Sequence, residues 1–469
     1  MSMTGADSNR RGFLLGIAVA MFAMATIPFV ATASNLAFPV IGKHFAHTSR
    51  ATLSWVLTGT AIATAALTLL GGQLSDRLGG FRMFLTGLVL SVVSNIVAAF
   101  APNPGILIAA RAAYGVAVAL VLPSSLGVAL ARCPTDRRMF VIGLWSASFP
   151  IASCVTPVAS ALTIDAFGWR GVFAATAVLS LIAVTLALLL GEDEHERPTG
   201  TFKAPDYLGI LLGTASVGLL ALAIVKGRAW GWTSPTIASV AGTSLALGVW
   251  FVRRSRRHLN PLFDVGLFRL RSYRMASIAN LMVAMIGSST WLLFPLVMAG
   301  LWKYAQFSVG LAMTPMPVIG ATLTLLVTRR ARTHGYGATM VVGTCFTVAG
   351  LVCFVLFPTV HPNYWTGMFP GLVLAGIGTG LTFAPLNAAA LVDVSRERLG
   401  SANAAFATGR SLSGAIGIAG VVALLDGHAA NPLTPFDRAF GFLAVIAIAA
   451  CAVLVIAWRG GSSESLMRA

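Results

Sequence analysis

The sequence predicts an all-α polytopic membrane protein whose chain crosses a bilayer fourteen times. Three observations carry that expectation. Of 469 residues, 57% are hydrophobic and only 10% are charged, against roughly 25% in an average soluble domain. So few charges could not cover a water-facing surface. The apolar residues come in long runs rather than in helical stripes or strand alternation, and the cations lie overwhelmingly on one side of those runs.

A helix needs about 20 apolar residues to cross a bilayer. Such stretches occur at 12–35, 52–71, 81–101, 105–130, 139–162, 171–190, 205–226, 234–253, 276–301, 306–328, 338–358, 364–391, 403–425 and 436–458. The segments between them are short and leave no room for a large soluble domain. The 48 glycines scattered through the runs suit helices that approach closely in lipid. The first run is longer than the apolar core of a signal peptide, so it is expected to remain as a helix despite the small residues Ala31-Thr32-Ala33.

Orientation follows from the cations. With the N-terminus placed in the cytoplasm, 23 of the 32 Lys and Arg fall on the cytoplasmic side and seven on the other. Arg111 and Arg410 fall inside spans. This is the asymmetry the positive-inside rule demands, and an even span number puts both termini in the cytoplasm. The net charge of +17 is thereby explained by topology and calls for no nucleic-acid partner. The basic run Arg253-Arg254-Ser255-Arg256-Arg257 lies on the same side. The five cysteines (133, 154, 345, 353 and 451) show no metal or redox spacing, so neither metal nor cofactor is expected.

Several short motifs stand at fixed places along this frame. Between spans two and three lies Gly72-Gln73-Leu74-Ser75-Asp76-Arg77-Leu78-Gly79-Gly80-Phe81-Arg82. Its glycines permit a tight turn between helices, and its charges can pair with helix ends or headgroups. Span four carries Arg111-Ala112-Ala113-Tyr114-Gly115. Span five carries Thr156-Pro157, followed by Phe167-Gly168-Trp169-Arg170-Gly171-Val172-Phe173. Span twelve carries Gly376-Ile377-Gly378-Thr379-Gly380 and Ala384-Pro385-Leu386-Asn387, and span thirteen Gly409-Arg410-Ser411-Leu412-Ser413-Gly414-Ala415-Ile416-Gly417.

Together these resemble the major facilitator superfamily, in its fourteen-helix drug–proton antiporter branch, over nearly the whole chain. The resemblance implies an N-terminal six-helix bundle (1–190), a linker with two inserted helices (191–256) and a C-terminal six-helix bundle (257–469), with spans one, four, nine and twelve lining a central cavity. It implies that Asp76, Arg77, Arg82 and Pro157 take part in gating. The chain departs from the pattern at instructive places. The acid usual in the first helix of this branch is replaced by Val30, ahead of Thr32, Asn35 and Pro39. The glycines usual in the fifth helix give way to Thr156-Pro157 and Ser160-Ala161, which predicts looser or different packing there. Thr60 stands where a tyrosine is usual.

None of the 15 acids and none of the seven histidines falls in the middle of a span. A proton-coupled carrier generally needs a titratable group there, and arginine, which stays charged, cannot replace it. Arg111 costs roughly 2.5–3.5 kcal/mol at a helix centre on insertion scales, which marks it as functional or paired. Arg410, nearer its span's cytoplasmic end, is expected to snorkel or to pair with Asp393 or Glu397. Candidate substrate contacts are Thr32, Asn35, Arg111, Tyr114, Ser288, Ser289, Thr382 and Asn387, with Trp145, Trp291, Phe294 and Phe383 as candidate apolar faces.

The functional expectation is a monomeric carrier of the cytoplasmic membrane that moves amphipathic small molecules outward by alternating access. Proton coupling is implied by the resemblance and questioned by Val30. A uniporter or an importer of a small anion would share these features. From other classes, a membrane enzyme would need a cluster of catalytic acids or histidines, for which Glu192-Asp193-Glu194-His195-Glu196 is the longest run. A sensor would bind without turnover.

Overall fold

The computed structural model describes residues 5–131, 133, 138–191, 207–257, 265–334, 336–391, 393–394, 399–425 and 431–459. The described residues are helical, with short turns between helices. In order these are α1 (Gly5–His44), α2 (Arg50–Leu53), α3 (Trp55–Leu78), α4 (Gly80–Ala99), α5 (Pro104–Ala131), α6 (Arg138–Leu190), α7 (Tyr207–Trp230), α8 (Pro235–Arg257), α9 (Arg271–Pro295), α10 (Gln306–Met313), α11 (Pro315–His334), α12 (Tyr336–Leu356), α13 (Phe369–Leu391), α14 (Leu399–Leu425) and α15 (Thr434–Arg459). In hydrocarbon every backbone group must find its partner within the protein, and helices meet that demand locally.

Twelve segments among the described residues are long and apolar enough to cross a membrane. The difference from the fourteen expected arises at two places. Spans five and six are continuous in α6, and Ile151–Leu190 runs through a bend at Gly168, whose φ of 67° favours glycine. In α7, the apolar stretch is shorter, Leu211–Ile224. Gly79 (φ 100°) makes the turn from α3 to α4 without a connecting loop.

Because consecutive spans run in opposite directions, depth can be read from position in each helix. The largest apolar core draws on the second half of α1 (Phe29–Ile41), the starts of α3 and α5, the end of α4, the Gly168 bend of α6, the end of α9, the start of α13, and the facing parts of α14 and α15. All of these lie at one end of the bundle, the end away from the Gly79 turn, and they come from both halves of the chain. At the Gly79 end, by contrast, the buried clusters separate. Two are built from residues between Phe13 and Leu190, and another from residues between Leu267 and Leu454. The two halves are thus fused by apolar packing at one end, and among the described residues the buried clusters at the other end are separate.

The seams between the halves are formed by α3 against α14 and by α6 against α10 and α11. At the second seam Gly310 of α10 lies where a Cβ would stand 2.5 Å from the Pro157 carbonyl and 2.7 Å from the Ala161 Cβ. Of the looser or different packing expected from the missing glycines of span five, this crossing shows the different. The glycine sits on the partner helix, and Ser160-Ala161 supply the small residues opposite. Pro157 has no N–H for the Ser153 carbonyl, and the Thr156 hydroxyl donates to it at 3.4 Å.

The far end is capped by aromatic packing. Trp169, just past the bend, lies against His44, Phe45 and Phe173 at ring separations of 5.5, 5.8 and 6.1 Å. Arg170 covers its other side at 4.3 Å and donates to the Ala101 carbonyl. Asp165 accepts from the Phe307 N–H at 2.9 Å, tying α6 to the first turn of α10 across the seam. The pair α7 and α8 is held by reciprocal bonds, Ser216 Oγ to the Ser244 carbonyl (2.8 Å) and Ser244 Oγ to the Ser216 carbonyl (2.7 Å). α7 packs against both α3 and α14.

Within the first half, α3 and α5 cross at Gly115, where any Cβ would collide with the Thr60 carbonyl. Gly115→Val is expected to lower thermal stability by about 1–3 kcal/mol or more, the range of overpacked cores, measured as a reduced apparent Tm of the purified protein; an unchanged Tm would mean that the two helices are not in backbone contact.

Candidate functional site

The residues singled out from sequence make contacts in separate groups. The first surrounds Arg111, seven residues into α5 and about 10 Å from its far end at 1.5 Å per residue. Its side chain is 2% exposed. Nε donates to the Val56 carbonyl at a long 3.4 Å. The guanidinium lies 4.7 Å from the Tyr114 ring and 5.4 Å from the Phe173 ring, contacts worth about 2 kcal/mol when desolvated. Nη1 is buried without a hydrogen-bond partner. No described carboxylate pairs with it. Thr60 donates to the Arg111 carbonyl at 2.9 Å, and Thr64 to that of Gly115 at 3.1 Å, so the α5 backbone here is held by the α3 hydroxyls.

The second group lies between α1 and α6. Thr156 donates to the Thr32 hydroxyl at 3.2 Å, which brings Thr32 beside Pro157. Two residues on, Ser34 Oγ and Asn35 Oδ1 are buried without partners. Val30, at the position of the branch's acid, is wholly buried in the apolar core.

The third group is where the structure departs from the sequence reading. Arg410 neither snorkels nor pairs with Asp393; Glu397 lies outside the described residues. Its Nη2 donates to Asn387 Oδ1 at 2.8 Å and its Nε to Asn280 Oδ1 at 3.2 Å. Phe383 and Phe406 take its faces at 4.6 and 5.6 Å. Each asparagine is anchored in turn, Asn280 Nδ2 to the Phe406 carbonyl at 3.0 Å and Asn387 Nδ2 to the Phe383 carbonyl at 2.7 Å. Asn280 was missed in the sequence reading. Its signal was available: a lone amide amid the apolar run of span nine, the kind of residue that joins helices in lipid.

The remaining candidates face neighbouring helices. A Cβ on Gly414 would stand 2.6 Å from Ser288 Oγ, and one on Gly417 2.7 Å from Ser289 Oγ, so both serines point at α14. Thr382 points at Gly343 of α12 (2.5 Å by the same measure). Phe294 is core, 5.1 Å from Phe354. Trp145 donates to Ser125 Oγ at 3.0 Å. Asp76 and Arg77 occupy the last turn of α3, beside Gly79; their side chains lie outside the described residues, as does the acidic run 192–196. Arg82 starts α4 and is exposed.

Comparison with known proteins places this arrangement. The family model of the Major Facilitator Superfamily matches residues 12–418, and the chain belongs to that superfamily: it is a multi-pass membrane transporter of small molecules. Among relatives, it is 29% identical to the multidrug resistance protein Stp of Mycobacterium tuberculosis over 407 residues, 86% of this chain and 74% of that one. It is 27% identical to the multidrug efflux pump LfrA of Mycolicibacterium smegmatis (86% and 79%). To the drug efflux pump JefA of M. tuberculosis it is 30% identical (82% and 75%). In fold it superposes on a POT family transporter crystallised with 5-aminolevulinic acid, with a TM-score of 0.71 at 15% identity and 96% of each chain covered.

A buried cation without a counter-charge weakens the folded state. Arg111→Met, close in volume and apolar, is expected to hold or raise the apparent Tm while transport is lost in a flux assay. A fall in Tm with transport intact would reverse that assignment.

Proposed function

We propose that the chain is an efflux carrier for amphipathic small molecules that works by alternating access in the cytoplasmic membrane, as a monomer with both termini in the cytoplasm. In this reading α6 makes two passes about Gly168 and α7 adds another, which gives fourteen. Residues 1–190 and 257–469 form the two six-helix bundles, and α7–α8 are an inserted pair. The observation that carries the proposal is the distribution of the apolar core among the described residues, continuous between halves at one end and in separate clusters at the other. Two rigid bundles joined at one end are what rocking between access states requires. In this reading the cation asymmetry puts the Gly79 end in the cytoplasm, and the conformation is closed outward and open inward. The printed names of the relatives, resistance proteins and efflux pumps, support export.

Gating belongs to the segments that cross the seams or join the spans: Pro157 opposite Gly310, and Asp76, Arg77 and Arg82 around the Gly79 turn. On coupling, Val30 favours a carrier driven by its substrate's own gradient. Among the described residues the helical acids sit at membrane edges: Asp7, Asp76 and Asp437 in terminal turns, and Asp165 three residues before Gly168. No proton site at mid-depth follows from them.

Flux of hydrophobic dyes in proteoliposomes, with and without a pH gradient, tests the reading. Flux is expected to persist without the gradient. Strict dependence on it would restore proton antiport through a group at the membrane edge, and no flux across a broad panel would remove the carrier assignment. Access is tested separately in a cysteine-free background. Phe383→Cys should react with an impermeant maleimide from the cytoplasmic face, and Val56→Cys should be protected from the outside; the opposite pattern would reverse the orientation.

A further inference from the structure

We infer that Arg410 is a binding site for the oxyanion of an amphipathic aromatic solute, so that this carrier selects anions rather than the lipophilic cations an acidic membrane site would favour. The inference rests on the carrier reading for the route the solute takes, but the site stands on its own geometry. Arg410 lies five residues, about 8 Å at 1.5 Å per residue, inside the apolar stretch Ala405–Leu425 of α14, within the hydrocarbon layer and nearer its Gly79 end. A guanidinium at that depth is permanently charged.

Its surroundings orient it without neutralising it. Both acceptors are neutral amide oxygens, from Asn280 of α9 and Asn387 of α13, and both flanking groups are phenyl rings. Each amide is fixed by its own donation to a backbone carbonyl, so the acceptors cannot turn away. Of the five guanidinium N–H groups, the bonds to Asn280 and Asn387 occupy one on Nε and one on Nη2. Three remain, two on Nη1 and one on Nη2, which can donate to a carboxylate. No described carboxylate accepts from them.

The site is also open. Phe406 is buried, but Phe383 is 40% exposed, and Arg410 and Asn387 are half-buried. Phe383 therefore offers free ring surface next to an uncompensated cation, the two elements an aromatic carboxylate needs. The two asparagines are positioning residues; Arg410 is the group that touches the ligand. An anionic phospholipid presents the same chemistry, an oxyanion on an apolar body, and the test separates the two sources.

The test is binding and flux of three probes with one naphthyl body, 2-naphthylacetate, its methyl ester and a naphthylmethyl-trimethylammonium, on the full chain in phosphatidylcholine nanodiscs and liposomes. Wild type should prefer the carboxylate. Arg410→Gln should weaken carboxylate binding by about tenfold or more, the scale of a charge-assisted bond, and ester binding by less than about threefold. Where that variant fails to fold, Asn387→Asp, which sets an internal carboxylate against Nη2, should abolish the preference instead. Equal binding of the ammonium probe, an unaltered carboxylate affinity in either variant, or displacement of the probe by phosphatidylglycerol would each overturn the proposal. Flux of the ammonium or ester without carboxylate selectivity would sink the charge assignment and leave the carrier reading intact. Carboxylate binding that depends on Arg410 without flux of any probe would do the reverse.

Discussion

In hydrocarbon, helices gain nothing by hiding apolar surface from one another, since lipid is as apolar as leucine. What holds this fold together is close approach, and nearly every structural relation described above depends on it. Gly115 lets α5 touch the α3 backbone, Gly310 lets α10 touch α6, and Gly414 and Gly417 let α14 settle on the serines of α9. Where helices approach so closely, hydroxyls reach backbone carbonyls on the neighbour, as Thr60 and Thr64 do. Stability is thus a sum of local fits, and polar side chains can be placed in lipid because each crossing supplies a partner.

The same packing explains how two guanidiniums persist in the membrane without acids. Both have aromatic rings on their faces and a fixed oxygen on Nε. They differ in what is left over. The spare donor of Arg111 is shut beside the continuous core, whereas Arg410 is only half-buried, beside the exposed Phe383 ring.

The segmentation of the chain was legible in the sequence because hydropathy along a helix needs no tertiary information. The exceptions have local causes: a glycine bend in place of a loop in α6, and in α7 a described apolar stretch, Leu211–Ile224, shorter than the helix that carries it. The site was legible only in part. Arg111, Tyr114, Thr32 and Asn387 were marked by being polar where lipid forbids it. Their partners were not, because the rotation of each helix about its own axis is set by neighbours far away in sequence. That rotation turns Ser288 and Ser289 toward glycines of α14 and Thr382 toward Gly343. It also brings Asn280, one unremarked amide, to Arg410 from 130 residues away in sequence.

The two seams between the halves are not equivalent. α7 lies against both α3 and α14 and is tied to α2 by Lys226, whose Nζ meets Thr52 Oγ1 at 3.0 Å. It packs across the meeting of those two helices, and α8 packs on α7 in turn. The groove between α6 and the α10–α11 pair has no such cover among the described helices. The two flanks are thus closed in different ways, one beneath a covering helix and the other by direct approach of Gly310 to Pro157 and Ala161, so lipid and protein share the work of sealing the second.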